Sequence, residues 1–233
     1  MREMKLSYWP GLVLVLVAAV SATSYAADLD KVLAQMDAAS ARFQNAQADF
    51  VWDNYTKVVD DHELQKGTIY FERVGGQTQM AALVQQPTKK TVVYKDATLS
   101  YYDPSLDQLN VFLAGKNKAQ YESFLTLGFG GSGKDLKSAW QIDDLGAETI
   151  DGVATEKLDL QSDQAKSANI VHITIWVDPA RDVSLKQTLF EASGGKPSGN
   201  TRTAVYTNIR PNEKVNTDAF AIKCPGKCTV VQH

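Results

Sequence analysis

The sequence predicts a mainly β fold of the α+β class, a strongly curved antiparallel sheet with helices over its concave face. Three observations carry that expectation. From about residue 48 onward, apolar and polar residues alternate in strand-length segments parted by turn residues. Eleven or twelve such segments follow one another, more than an open sheet usually carries without curling. Helical periodicity is confined to one N-terminal stretch and a shorter one in the middle.

The N-terminal stretch is 29–43, where Leu29, Val32, Leu33, Met36, Ala39 and Phe43 recur at three- and four-residue steps behind Asp28 as an N-cap. The strands expected next are 48–59, 64–74, 77–85, 89–95, 98–102 and 107–113. Gly75-Gly76, Pro87 and Asp103-Pro104 provide turns among them. Residues 117–139 interrupt the series. Ala119, Phe124, Leu125 and Leu127 suggest a short helix, 128–133 reads as a glycine-rich hinge, and 134–139 as a further helical turn. Strands resume at 140–150, 153–161, 169–178, 184–192, 201–209 and 227–231, with 194–199 as a hairpin connection. In 169–178 the two faces separate cleanly: Val171, Ile173, Ile175 and Val177 on one, His172, Thr174 and Trp176 on the other.

The first 26 residues have the order of a cleavable secretory signal. Arg2 and Lys5 precede an apolar run from Leu12 to Val20, and Ser24 and Ala26 are the small residues a signal peptidase probes. The apolar run is about half of the roughly 20 residues that a spanning helix needs. The expected product is therefore residues 27–233, one soluble domain outside the cytoplasm, with no cysteine after the apolar run to take a lipid. A formal net charge of −3 gives no basic stripe for nucleic acid. In that compartment Cys224 and Cys228, flanking Pro225-Gly226, are expected to form a disulfide. A metal site with His233 or a redox pair fits their number and spacing less well.

Catalytic signals are weak. Gly128 to Lys134 matches the first seven positions of a phosphate-binding loop, but Asp135 stands where Ser or Thr should hold magnesium, and a helical stretch rather than a strand precedes it. His62, His172 and His233 lie in no nucleophile motif, and the pairs Asp60-Asp61 and Asp143-Asp144 read as solvated turns. No enzyme activity, cofactor or metal is expected.

Several segments in order resemble the outer-membrane lipoprotein carrier family, the LolA-like lipoprotein-sorting proteins of the bacterial periplasm. They are Leu29-Asp30-Lys31-Val32, then Gly67-Thr68-Ile69-Tyr70-Phe71-Glu72-Arg73, then Gln86-Pro87. Tyr94 to Pro104 follows with Gln108 after it, and the series ends on Phe220, Pro225-Gly226 and Val230. Val74, Ala97 and Ser100 depart from the family pattern. The resemblance implies an unclosed antiparallel β-barrel, a half-barrel with a helical lid over a hydrophobic cavity. It further implies a monomer that takes lipoprotein acyl chains, or another lipid, from an inner-membrane exporter to an outer-membrane acceptor. Arg73 falls on the position whose arginine hydrogen-bonds lid backbone and latches the empty carrier. A lipid sensor on the same fold, which would normally add a further domain, and an envelope hydrolase are the alternatives.

On that reading the cavity lining is Phe50, Trp52, Ile69, Phe71, Met80, Ala82, Val84, Leu99, Tyr101, Leu109, Val111, Val171, Ile173 and Ile175. Leu33, Met36, Phe124 and Leu125 are the lid. Acyl chains offer no polar group to read, so such a site needs apolar area and a cover rather than a catalytic set. Burial contributes about 25 cal/mol per Å² of apolar surface.

Overall fold

A computed structural model describes residues 24–113, 127–167, 169–224 and 226–233. Residues 1–23 of the expected signal segment, and Phe124 and Leu125 of the expected lid, lie outside them. Ser24–Ala26 open helix α1 (Ser24–Ser40).

All twelve anticipated strands are present and form one sheet. They are β1 (Asn45–Thr56), β2 (Asp61–Val74), β3 (Gln77–Gln86), β4 (Lys90–Lys95), β5 (Thr98–Asp103), β6 (Gln108–Leu113), β7 (Gln141–Ile150), β8 (Val153–Gln161), β9 (Ile170–Asp178), β10 (Val183–Ser193), β11 (Lys196–Pro211) and β12 (Thr229–Gln232). The order across the sheet is β12-β6-β5-β4-β3-β2-β1-β11-β10-β9-β8-β7. Neighbours are antiparallel except β12, which runs parallel to β6. The end strands β12 and β7 do not pair, so the barrel stays unclosed.

This topology dictates where the covers go. The chain builds β1 to β6 outward to one edge and restarts at the opposite edge with β7. It then works back to seat β11 against β1. The β6–β7 connection must therefore cross the sheet, and its described part, 127–140, does so on the concave face. It contains helix α2 (Gly133–Ala139), which Ser132 caps by accepting the Asp135 N–H at 3.0 Å. The connection from β11 to β12 crosses in its turn on the convex face. There Val215, Ala219 and Phe220 pack on Tyr70, Ala81 and Val93. A five-residue helix α3 (Asp163–Ser167), too short to leave a periodicity, joins β8 to β9.

Helix α1 begins earlier than its apolar period indicates and stops at Ser40. The chain then tightens through Arg42 N–H to Ala39 O at 3.0 Å and Phe43 N–H to Ser40 O at 3.1 Å, and turns into β1. Its buried residues Val32, Leu33 and Met36 pack with Leu136 and Trp140 against Leu158, Leu160, Ile173 and Ile175 of β8 and β9. Cys224 and Cys228 are joined by a disulfide just before β12.

Candidate functional site

The inner face of the sheet can be followed strand to strand through its register. Phe71 of β2 lies opposite Ala46 of β1 and Met80 of β3. Ile69 lies opposite Ala48 and Ala82, and Gly67 opposite Phe50 and Val84. Met80 continues to Tyr94 of β4 and on to Leu99 of β5, and Ala82 to Val92 and Tyr101. Directly opposed residues share a face, so Phe50, Trp52, Ile69, Phe71, Met80, Ala82, Val84, Leu99 and Tyr101 all point inward. All of these but Tyr101 pack in one apolar cluster with Phe43, Phe129 and Tyr206. Tyr101 sits at its rim, with the Lys90 ammonium 5.9 Å from its ring centre. Ile173 and Ile175 face inward on the other half of the sheet, beneath Leu33 and Met36.

Three of the anticipated lining residues are placed differently. Leu109 is opposite Tyr102, and Val111 opposite Ser100, which itself faces Val93 of the convex cluster. Both therefore belong to the convex face, and Asn110 and Phe112 take the inward positions in β6. The β5–β6 register runs without a shift from Asp103 opposite Gln108 to Thr98 opposite Leu113, and this pairing, not the apolarity of Leu109 and Val111, fixes which face each takes. Val171 is the third. The β9–β10 register slips by one residue between Phe190 and Glu191, which face His172 and Ile170. Val171 is thus the bulged residue, and Ile170 takes the core position.

The hollow is filled in this state, and its filler comes from the crossing connection. Phe129 lies stacked on Phe71 with ring centres 4.1 Å apart and edge-on to Tyr206 at 5.0 Å. Its backbone is held like a short strand where β10 has not yet met β11. Ser184 N–H donates to Gly128 O at 2.6 Å, Gly130 N–H to Asp182 O at 3.2 Å, and the Gln187 amide to Leu127 O. The two flanking glycines are required. Both have φ 76°, and a Cβ would sit 2.4 Å from the Ser184 side chain at Gly128 and 2.4 Å from the Phe43 ring at Gly130. The segment that read as a hinge is therefore a seated plug. Its one sequence signal is an aromatic residue set between glycines. Burial raises the phenol pKa of Tyr206 beneath it, and a hydrogen bond with Trp52 opposes that rise.

Arg73, inward-facing at the end of β2, ties plug and helix to the sheet. Its Nη1 donates to Ser40 O at 2.8 Å and Phe43 O at 3.3 Å, and its Nη2 to Ser40 Oγ at 3.3 Å and to Gly130 O. The guanidinium carbon stands 5.5 Å from the centre of the Phe43 ring, and the Arg73 N–H donates to Gln44 O at 2.7 Å. Ser40 Oγ completes the knot by donating to Gly130 O at 2.8 Å. The carbonyl acceptors lie at the end of α1, in the turn after it and in the plug, and Ser40 O accepts the Phe43 N–H as well; such groups need donors when buried. Beside the knot opens a cavity of about 600 Å³, within the range of about 300–1,000 Å³ common for small-molecule sites. Met36, Leu127, Leu136 and Trp140 give it an apolar wall, and Arg73 and Thr78 a polar one.

The outer face has a different character. His172 Nδ1 is 2.6 Å from Asp159 Oδ1, which also accepts from Thr174 Oγ1 at 2.8 Å, and the imidazole stacks on Phe190. Trp176 Nε1 donates to Glu148 at 2.8 Å between the ammonium groups of Lys157 and Lys186. Among the described residues no cluster of three or more His, Cys, Asp or Glu could hold a metal ion. No helix among them is long and apolar enough to cross a membrane.

No protein-family model and no curated protein matches this sequence. Solved structures do share the fold. MucB superposes with a TM-score of 0.53 at 16% identity over 88% of this chain and 66% of that one. The MucA/MucB complex of Pseudomonas aeruginosa gives 0.51 at 13% identity, over 88% and 64%. The chain thus spans about two thirds of the length of MucB. An uncharacterized conserved protein from Thermus thermophilus gives 0.53 at 11% identity over 88% and 99%. A LolA superfamily protein from Nitrosomonas europaea is also a structural neighbour, at 0.41 and 13% identity over 83% and 97%. At these identities the likeness is one of fold.

Proposed function

We propose that the chain is a periplasmic carrier. Exported by residues 1–26, it binds the acyl chains of lipoproteins, or of another lipid, on the concave face, and shuttles them from an inner-membrane donor toward an outer-membrane acceptor. One observation carries this reading. The concave apolar face is covered by chain that belongs to no strand of the sheet, and among the described residues that cover is fastened by a small set of polar contacts, those of Arg73, Ser40 and Gln187 and the backbone bonds of Gly128 and Gly130. A core filled from its own strands has nothing to remove. Here, lifting Phe129 and the end of α1 uncovers Phe50, Phe71, Met80 and Tyr206 together without breaking a strand pair of the twelve-stranded sheet. Acyl chains then replace Phe129 against the same rings, gaining about 25 cal/mol per Å² of apolar surface withdrawn from water. Arg73 is the latch. Its acceptors lie on both moving parts, so release of the guanidinium loosens both, and the plug leaves once its bonds to Ser40, Asp182, Ser184 and Gln187 are exchanged for water as well.

Native mass spectrometry of the protein purified from its own envelope, paired with titration of a fluorescent fatty-acid probe, tests the carrier. Co-purifying lipid or lipoprotein and saturable probe binding are expected. Clean apoprotein that also leaves the probe unbound sinks the reading. It would favour a domain that, like MucB with MucA, works by binding another protein.

A further inference from the structure

The plug rests on a carboxyl group that has no hydrogen-bond partner among the described residues. Asp182 is the last residue of the turn between β9 and β10, in the left-handed region at φ 55°. Its carbonyl accepts the Gly130 N–H at 3.2 Å, and the next residue, Val183, bridges to Phe129, so the plug lies directly on it. The side chain is fully buried, and among the described residues neither carboxyl oxygen has a hydrogen-bond partner. A buried carboxylate without a donor is costly, and an unsatisfied group of this kind calls for an explanation. Asparagine would adopt the same backbone with no charge to bury.

Few charges face it. Arg73 of β2 acts on it from one side, but directs its guanidinium N–H groups at carbonyls and the Ser40 hydroxyl. Asp37 of α1 adds a like charge. The plug residues Leu127 to Gly131 contribute none. Within its own turn Arg181 is paired with Asp178, Nε to Oδ2 at 2.6 Å. Burial pushes the Asp182 carboxyl up to about 7, against the pull of Arg73 and with the help of Asp37.

We infer that Asp182 is a proton-linked catch, whose neutral acid keeps the Phe129 plug seated and whose ionised form favours the plug lifting off. The inference rests on the carrier reading for its purpose, the regulation of uptake, and on the buried turn for its geometry. The sign follows from linkage. Exposed by opening, the carboxyl titrates near the ordinary value of about 4; closed, it titrates near 7. The closed state is therefore favoured most below about pH 4, loses ground as pH rises, and loses no more above about pH 7. The opening equilibrium rises roughly eightfold from pH 5 to 6 and roughly fivefold from pH 6 to 7. Neutral medium favours uptake, and acid favours the sealed form.

Hydrogen exchange of residues 127–131, corrected for intrinsic rates, reads the opening directly. Protection is expected to fall roughly eightfold from pH 5 to 6 and roughly fivefold from pH 6 to 7 in the native protein, and to be high and flat in Asp182→Asn. Flat protection in the native chain, or an unchanged slope in the variant, overturns the inference. Should Asp182→Asn fail to fold, carbon-13 titration of Asp182 in the native protein decides. A midpoint near 7 supports the catch, and one near 4 removes it. Neither measurement contains lipid, so failure of the fatty-acid titration would strike the carrier reading and leave this result standing.

Discussion

Two connections cross the sheet, one on each face, and they are attached by different physics. On the convex side, Val215, Ala219 and Phe220 pack on Tyr70, Ala81 and Val93, and the chain runs on through the Cys224–Cys228 disulfide into β12. On the concave side, Phe129 is equally well buried against Phe71 and Tyr206, but the chain on either side of it is held by polar contacts. Its flanking glycines stand at positive φ, Gly130 O is held by Arg73 and Ser40, and among the described residues the Asp182 carboxyl beneath has no hydrogen-bond partner. Apolar packing with no polar debt makes a permanent cover. Apolar packing joined to a polar knot makes one that can come off at moderate cost, because every bond of the knot can be exchanged for water.

The largest effect expected from this difference is on stability, at the permanent cover. Phe220→Ala removes a buried aromatic from a site with no alternative filler and should cost about 3–5 kcal/mol in denaturant unfolding. Fatty-acid probe affinity should not change, since Phe220 lies behind the sheet. A variant that lost probe binding while staying folded would erase the distinction between the two covers.

Next in size is the latch. Arg73→Leu deletes the donors to Ser40 O, Phe43 O and Gly130 O. The bond to Gly130 O is the one made to the plug itself, and a bond to a charged group is worth about 1.5–3 kcal/mol, so the plug should open about ten- to a hundredfold more often. Stopped-flow probe transfer should show faster uptake and slower release, because the closed state that expels cargo is weakened. Transfer rates equal to those of the native protein would take Arg73 out of the mechanism.

Much of this architecture is legible in the sequence, because alternation reports strands wherever one face is buried and the other wet. Most of the strands show that contrast, β3 and β9 being buried on both faces over much of their length, and the inward set from Phe50 to Leu99 follows it. What alternation cannot carry is which face of a strand is the inner one, or parity across an irregularity. The β5–β6 pairing turns Leu109 and Val111 outward, and the bulge at Val171 hands its place to Ile170. Nor can composition distinguish a glycine-rich hinge from a glycine-rich seat. Gly128 and Gly130 are needed for close approach to Ser184 and Phe43, partners more than fifty residues away in sequence. Asp182 is silent for the same reason: an aspartate in a turn is ordinary until the plug settles on top of it.

The smallest effect expected, and the one that separates the two covers most sharply, concerns the plug itself. If Phe129 occupies the place of an acyl chain, it is a competitor, and removing it should help the ligand even as it harms the empty fold. A phenylalanine side chain gains about 1.5–3 kcal/mol on burial, and each 1.4 kcal/mol is tenfold in affinity. Part of that gain is lost to water that fills the vacated space. Phe129→Ala should therefore tighten fatty-acid probe binding by about tenfold, with less loss of global stability than Phe220→Ala, because a segment that opens locally contributes little to global unfolding. Weaker probe binding in Phe129→Ala would mean that the ring is part of the binding surface rather than its occupant, and the acyl chain would then belong in the neighbouring 600 Å³ cavity against Leu136 and Trp140.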